Sequence, residues 1–136
     1  MLPSSAGKPP ERKRFGAAAR VVLVAAPPAL LQRMSEVVAA IEGVTLAGAF
    51  GTAEQAIDWL QWKRPAWQLA YVDMTMAGAG DVVRELRNAD HAGALVGLCA
   101  HLWREERERC EAMGMSRIVE KGDLIAFQDD VEVRGR

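Results

Sequence analysis

Residue types that usually carry chemistry are scarce in this chain. Two cysteines, Cys99 and Cys110, and two histidines, His91 and His101, are all that its 136 residues hold. Two cysteines build no disulfide framework, and their separation is not a metal-ligand spacing. A reducing, cytoplasmic setting is expected. Charge of one sign is lacking as well: 17 Lys and Arg against 18 Asp and Glu leave a formal net charge of −1. No global field therefore recruits nucleic acid or a membrane surface. No apolar run reaches the ~18 residues that a bilayer span needs. No Gly-rich phosphate loop follows the first apolar run, where Ala25-Ala26-Pro27-Pro28 stands instead, and no catalytic dyad is visible. A small enzyme is therefore not expected, and fold alone cannot confer an activity.

What remains suits one domain. The length is that of a single unit, and 50% of the residues are apolar by type, enough for a core of ordinary size. Near the start, Lys8, Arg12, Lys13 and Arg14 precede a fairly apolar stretch from Phe15 to Leu31, which loosely mimics a secretory signal. Arg20 inside the stretch, the break at Pro27-Pro28 and the want of a clean small-residue cleavage site argue against that. Residues 1–18 read as a disordered basic tail and 19–136 as the domain. A basic tail is most simply a solvated one, so nucleic acid is not expected as a partner.

Along the domain, apolar β-branched runs alternate with helical patterns. Val21 to Val24 is a continuous run of the kind that is buried on both faces of a parallel sheet. Leu30, Met34, Val37, Val38 and Ile41 recur at helical spacing, and Gly43 is placed to cap that helix. Val44 to Phe50 reads as a second strand. Thr52 and Gln55 form a capping-box pattern for a helix carrying Ala53, Ala56, Ile57 and Leu60, which Pro65 stops. Leu69 to Val72 is a third strand running into Asp73. A Gly-rich loop follows, and Asp81 is expected to cap a third helix. Ala94 to Leu98, a charged helix over about Leu102 to Met113, Arg117 to Val119, and a last helix from about Asp123 complete the chain. Five strands alternating with five helices predict a doubly wound α/β sheet. Function in such sheets gathers at the C-terminal strand ends, here Ala25, Ala26, Asp73, Cys99 and Lys121.

Those positions carry a family pattern. Val72-Asp73-Met74-Thr75-Met76-Ala77-Gly78 resembles the phosphoacceptor motif of two-component response-regulator receiver domains of the CheY-like kind, strand-Asp-x-x-Met-Pro-Gly, with Ala77 for the proline. Lys121, Gly114 and Pro28 match the family's lysine after the fifth strand, the glycine before that strand and the proline after its acidic pair. The resemblance covers about residues 20–130. It implies a flavodoxin-like parallel sheet of order 2-1-3-4-5 and a role in phosphorelay signal transduction. It also implies a phosphoryl group taken on Asp73 from a histidine kinase with magnesium.

The departures are equally specific. The two carboxylates expected after the first strand are Ala25 and Ala26, the hydroxyl after the fourth strand is Cys99, the aromatic switch position is Ile118, and the proline after the lysine is Gly122. Magnesium wants several oxygen ligands in near-octahedral array, and two anionic ones are gone. Magnesium is therefore expected only weakly if at all, with no other cofactor. A thiol is a weak donor, and isoleucine has no polar tip to swing. The expectation is an atypical receiver, held by an Asp73–Lys121 pair and signalling by protein contact without aspartyl phosphorylation. Its rival is a conventional phosphoacceptor at Asp73.

Partner candidates are a histidine kinase or an effector protein, and a homodimer stays open. The resemblance implies a partner face made by the fourth and fifth helices and the strand between them. Trp62 and Trp103 are the interface candidates, since partly exposed tryptophans anchor contacts. Trp59 and Trp67 are expected in the core. Cys99 beside a lysine could have a lowered pKa and sense redox state, but a strand-end cysteine is more often a small packed hydrophobe. His101 reads as a solvated loop residue.

Overall fold

The computed structural model describes residues 18–135. Five strands, β1 (Ala19–Val24), β2 (Val44–Phe50), β3 (Leu69–Asp73), β4 (Ala94–Cys99) and β5 (Arg117–Glu120), form one sheet. They alternate with five helices, α1 (Pro28–Ala39), α2 (Ala53–Lys63), α3 (Ala79–Ala89), α4 (Arg104–Ala112) and α5 (Leu124–Arg134). All neighbouring strands run parallel, in the order β2-β1-β3-β4-β5, as the alternation and the resemblance predict. The basic tail falls outside the described residues, except for Ala18.

Side-chain alternation along the strands splits the core into two layers. Val22, Val24, Ala70, Val72, Leu95 and Cys99 join residues of α2 and α3 and Cys110 of α4 on one face. Val21, Leu23, Ala25, Tyr71, Val96, Leu98 and Val119 meet α1 and α5 on the other. The same alternation decides where the functional candidates point. Asp73 lies an even number of residues from Leu69 and Tyr71 of the α1/α5 layer but stands at the strand end, where it and Lys121, one residue past its own strand, line one cleft. Cys99 belongs to the opposite face.

Several local signals hold. Thr52 caps α2 by accepting the Gln55 N–H at 3.2 Å, and Asp123 caps α5 by accepting that of Ala126 at 3.0 Å. Two cap expectations are corrected. The helix before Gly43 ends at Ala39 with Ala40 as its cap, and Gly43 serves the following turn at φ 85°. The cap of α3 is Gly78, also at φ 85°, which a side chain would strain. Asp81 falls inside the first turn, where its charge favours the helix dipole and its carboxylate meets Arg84 at 3.0 Å. Of the core tryptophans, Trp67 is buried and donates its indole N–H to the Leu86 carbonyl at 3.0 Å, whereas Trp59 is half-buried and tilts against Phe50.

One buried carboxylate outside the strand-end cluster ties α5 to the sheet. The Tyr71 hydroxyl donates to Asp130 Oδ2 at 2.6 Å, while Oδ1 faces the guanidiniums of Arg117 and, at 3.5 Å, Arg134. Burial and this bond push the Tyr71 phenol far above its ordinary pKa, so it stays a donor at any working pH. A hydrogen bond to a charged group contributes about 1.5–3 kcal/mol. Tyr71→Phe is therefore expected to lower unfolding free energy by about that much in a denaturant melt. Asp130→Ala, which also leaves both arginines without their carboxylate, should cost more.

Candidate functional site

The C-terminal ends of β1, β3 and β5 converge on the carboxylate of Asp73. Strands β3 and β5 are not neighbours. With β4 between them they lie about 10 Å apart, two strand spacings. Only a long side chain bridges that gap. Lys121, one residue past β5, reaches across and places its ammonium Nζ 2.9 Å from Asp73 Oδ2. The pair expected from the sequence is present, with Asp73 fully buried and the lysine side chain 23% exposed.

Lys121 is one donor of several. The Ala26 backbone N–H gives Oδ2 a second contact at 3.2 Å. Oδ1 accepts the Thr75 backbone N–H at 3.0 Å and its hydroxyl at 2.6 Å. The lysine also donates to Thr75 Oγ1 at 3.0 Å, so hydroxyl, carboxylate and ammonium close a ring. Both oxygens of Asp73 are thus met by two donors each. Burial alone would push this carboxyl up, but the bonds from Thr75, Lys121 and Ala26 together outweigh it and hold the pKa below its ordinary value. Thr75 and Ala26 add to the expected Asp73–Lys121 pair donors that the sequence reading did not name. An aspartate whose side chain accepts the N–H two residues on is an Asx-turn, which the Asp73-Met74-Thr75 order permits. The Ala26 N–H has no sequence signal, because a main-chain donor belongs to every residue but proline.

The other strand-end residues divide. Ala26 lines a cleft of about 420 Å³ with Gly51, Thr52, Asp73, Thr75 and Lys121. Ala25 is wholly buried in the α1/α5 layer. The Cys99 thiol is buried on the opposite face, its Sγ 3.7 Å from that of Cys110. Burial first, and then the neighbouring thiol, push its pKa up to about 12, which corrects the idea of a lysine-lowered value. Ile118 is half-buried against the α2/α3 layer.

A magnesium ion is not well matched by these residues. Two carboxylate residues, Glu54 and Asp73, line the cleft; both oxygens of Asp73 are engaged by N–H, O–H and ammonium donors, and the Lys121 ammonium beside it repels a cation. Among the described residues no three His, Cys, Asp or Glu side chains gather into a metal-holding group.

Apolar side chains are exposed in several places. Trp62 on α2 is 83% exposed and Trp103, preceding α4, is 60% exposed and stacked on His101 at 4.2 Å. Sequence reasoning missed Ile125 and Val133, both exposed on α5. Their separation of eight residues, two helical turns with Asp129 midway, is the signal that places them on one outer face.

No protein-family model and no curated relative matches the sequence. Solved structures match over most of the chain. One is from a CheX-CheY-BeF3-Mg complex of Borrelia burgdorferi, with TM-score 0.71 at 15% identity over 88% of this chain and 91% of that one. Another is the signal receiver domain of the putative response regulator NarL from Mycobacterium tuberculosis, with TM-score 0.70 at 16% identity over 85% and 94%. A third is a CheY-like receiver domain protein from Methanospirillum hungatei, with TM-score 0.67 at 12% identity over 87% and 97%. The chain has the CheY-like fold of response-regulator receiver domains.

Proposed function

We propose that this chain is an atypical receiver domain of two-component signalling. It passes information by contact with another protein, without a phosphoryl group on Asp73 and without catalysing a reaction of its own. The observation that carries the reading is the saturated carboxylate. A phosphoryl acceptor must offer a free oxygen as nucleophile and have its growing charge neutralised, a task that metal ions share in phosphoryl transfer. Here both oxygens of Asp73 are hydrogen-bonded, one of them to an ammonium. The acidic pair that would hold a cation is Ala25 and Ala26. The site is neutralised from within, and the fold around it is kept.

Output then rests on surface chemistry. Trp62, Trp103, Ile125 and Val133 supply exposed apolar area of the kind that anchors protein contacts. The partner is a signalling protein, a histidine kinase or an effector, met in the cytoplasm. Among the described residues no helix is long and apolar enough to cross a membrane.

The conventional reading, phosphotransfer from a histidine kinase to Asp73, is favoured by the cleft beside that residue. Backbone NMR titration separates the two. With magnesium to several millimolar and then beryllofluoride, the amides of Ala26, Thr75 and Lys121 are expected to stay in place. Saturable shifts at sub-millimolar magnesium, followed by a beryllofluoride-bound spectrum, would establish the conventional site instead. Ala26→Asp, on the cleft wall, should restore some magnesium binding. Ala25→Asp should chiefly cost stability, because its carboxylate would enter a core layer.

The self-neutralised site also makes a stability statement. Lys121→Ala leaves Asp73 with three of its four donors and is expected to cost about 1.5–3 kcal/mol. Asp73→Ala removes every partner at once, and the double mutant should cost less than the sum by about 0.5–3 kcal/mol, read in denaturant melts. The pH dependence follows in sign. The folded pKa of Asp73 lies below the ordinary 3.8, so its contribution is complete above that value. It is lost as pH falls through the folded value, because the unfolded chain binds the proton first. Asp73→Asn should flatten the stability curve in that acid window.

A further inference from the structure

Helix α4 has one buried residue, Cys110. The rest of its sequence, Arg104 to Arg109 above all, is charged, and the loop from Ala100 to Trp103 that leads into it is exposed throughout. An element held by so little apolar area opens more readily than its neighbours. Its anchor sits in a prepared seat. A Cβ at Gly97 of β4 would come within 3.1 Å of Cys110 Sγ and 3.0 Å of Met115 Sδ, so the bare strand position admits the thiol. Beyond it, at the end of the same strand, Cys99 Sγ lies 3.7 Å from Cys110 Sγ. A disulfide needs about 2.05 Å, which a rotamer change and a slight inward shift of α4 would supply.

We propose that Cys99 and Cys110 form an oxidation site, a thiol pair that a low-molecular-weight disulfide converts into an internal disulfide stapling α4 to β4. Opening of α4 exposes the thiols. One protein thiolate attacks a sulfur of the external disulfide, breaking its S–S bond and releasing one external thiolate. The second protein thiolate attacks the protein sulfur of the mixed disulfide and releases the other. Two protein S–H bonds and one external S–S bond are lost, and one protein S–S bond forms. Two electrons pass to the external disulfide, and the two protons end on its released thiols. In the reduced state both thiols are buried, and burial raises the Cys99 pKa, which keeps the closed form inert, so the reaction reports on opening. The consequence is mechanical. Helix α4 becomes tethered in its last turn, through its one buried residue, and Trp103 at its start is restrained with it. This holds whether or not Asp73 takes a phosphoryl group.

The test is incubation of the native protein with oxidised glutathione, followed by peptide mapping and amide hydrogen exchange. The expected result is a Cys99–Cys110 cross-link. Exchange across Arg104–Ala112 should slow about tenfold or more, and dithiothreitol should reverse it. Cys110→Ala, or Cys99→Ala should the first not fold, must abolish the slowing under the same treatment. Two unreacted thiols after prolonged exposure, mixed glutathione adducts without the internal bond, or a cross-link that leaves α4 exchange unchanged would each overturn the proposal.

Discussion

A carboxylate buried at the end of β3 must be matched by donors, and the arrangement of the strand ends follows from how Asp73 is matched. Its two oxygens take four hydrogen-bond contacts, from the Ala26 N–H after β1, the Thr75 N–H and hydroxyl after β3, and the Lys121 ammonium after β5. Three separate chain segments are thereby fixed to one point. Each donor is cheap alone, but a buried charge left without them costs several kcal/mol or neutralises. The lysine reaches over β4, whose end residues Leu98 and Cys99 carry no carboxylate. The hydroxyl of Thr75 then bridges acid and ammonium.

Asp130 meets the same constraint by other means on the α1/α5 face. It is equally buried, and its partners are a phenol from β3 and two guanidiniums from β5 and α5. The contrast is informative. Asp130 is held between the phenol and two partly exposed arginines as a structural tie. Asp73 faces one ammonium beside a cleft open to solvent. A site of that kind can still be approached by another molecule even where its carboxylate is fully engaged. Asp73 thus stands at the strand ends beside the cleft, while Asp130 ties α5 to the sheet from beneath.

How far sequence alone reached depended on whether a feature was local. The strands and helices were readable because apolar alternation and caps such as Thr52 and Asp123 act within a few residues. Asp73 and Lys121 were readable because a known family pattern places them at strand ends. Thr75 was in view as part of that pattern, but its bridging role was not, since it depends on where Lys121 arrives from 46 residues away. The Asp130 tie was not readable. An aspartate in the last helix, next to Asp129 and two residues from Glu132, looks like any solvated acid until Tyr71 is found beneath it. Cap errors at Gly43 and Asp81 came from choosing between adjacent residues that all favour helix ends. Two cysteines eleven apart gave no hint of contact, because one lies on a strand and the other on a helix that returns over it.

These features distribute stability unevenly. The β1, β3 and β5 ends are drawn together around Asp73, and α5 is held by Asp130. The long apolar stripes of α2 and α3 cover one face of the sheet. Helix α4 has none of these, only Cys110 in the seat that Gly97 leaves. A domain that signals by contact needs some element whose position can change at low cost. On the proposed reading, in which Asp73 takes no phosphoryl group, that element would have to be moved by contact alone. The freedom nonetheless persists in α4 because its surface is almost wholly charged and solvated. Among the described helices α4 has the least buried apolar hold on the sheet, so a partner contact near Trp103, as proposed, would act where the population of open and closed forms is easiest to shift.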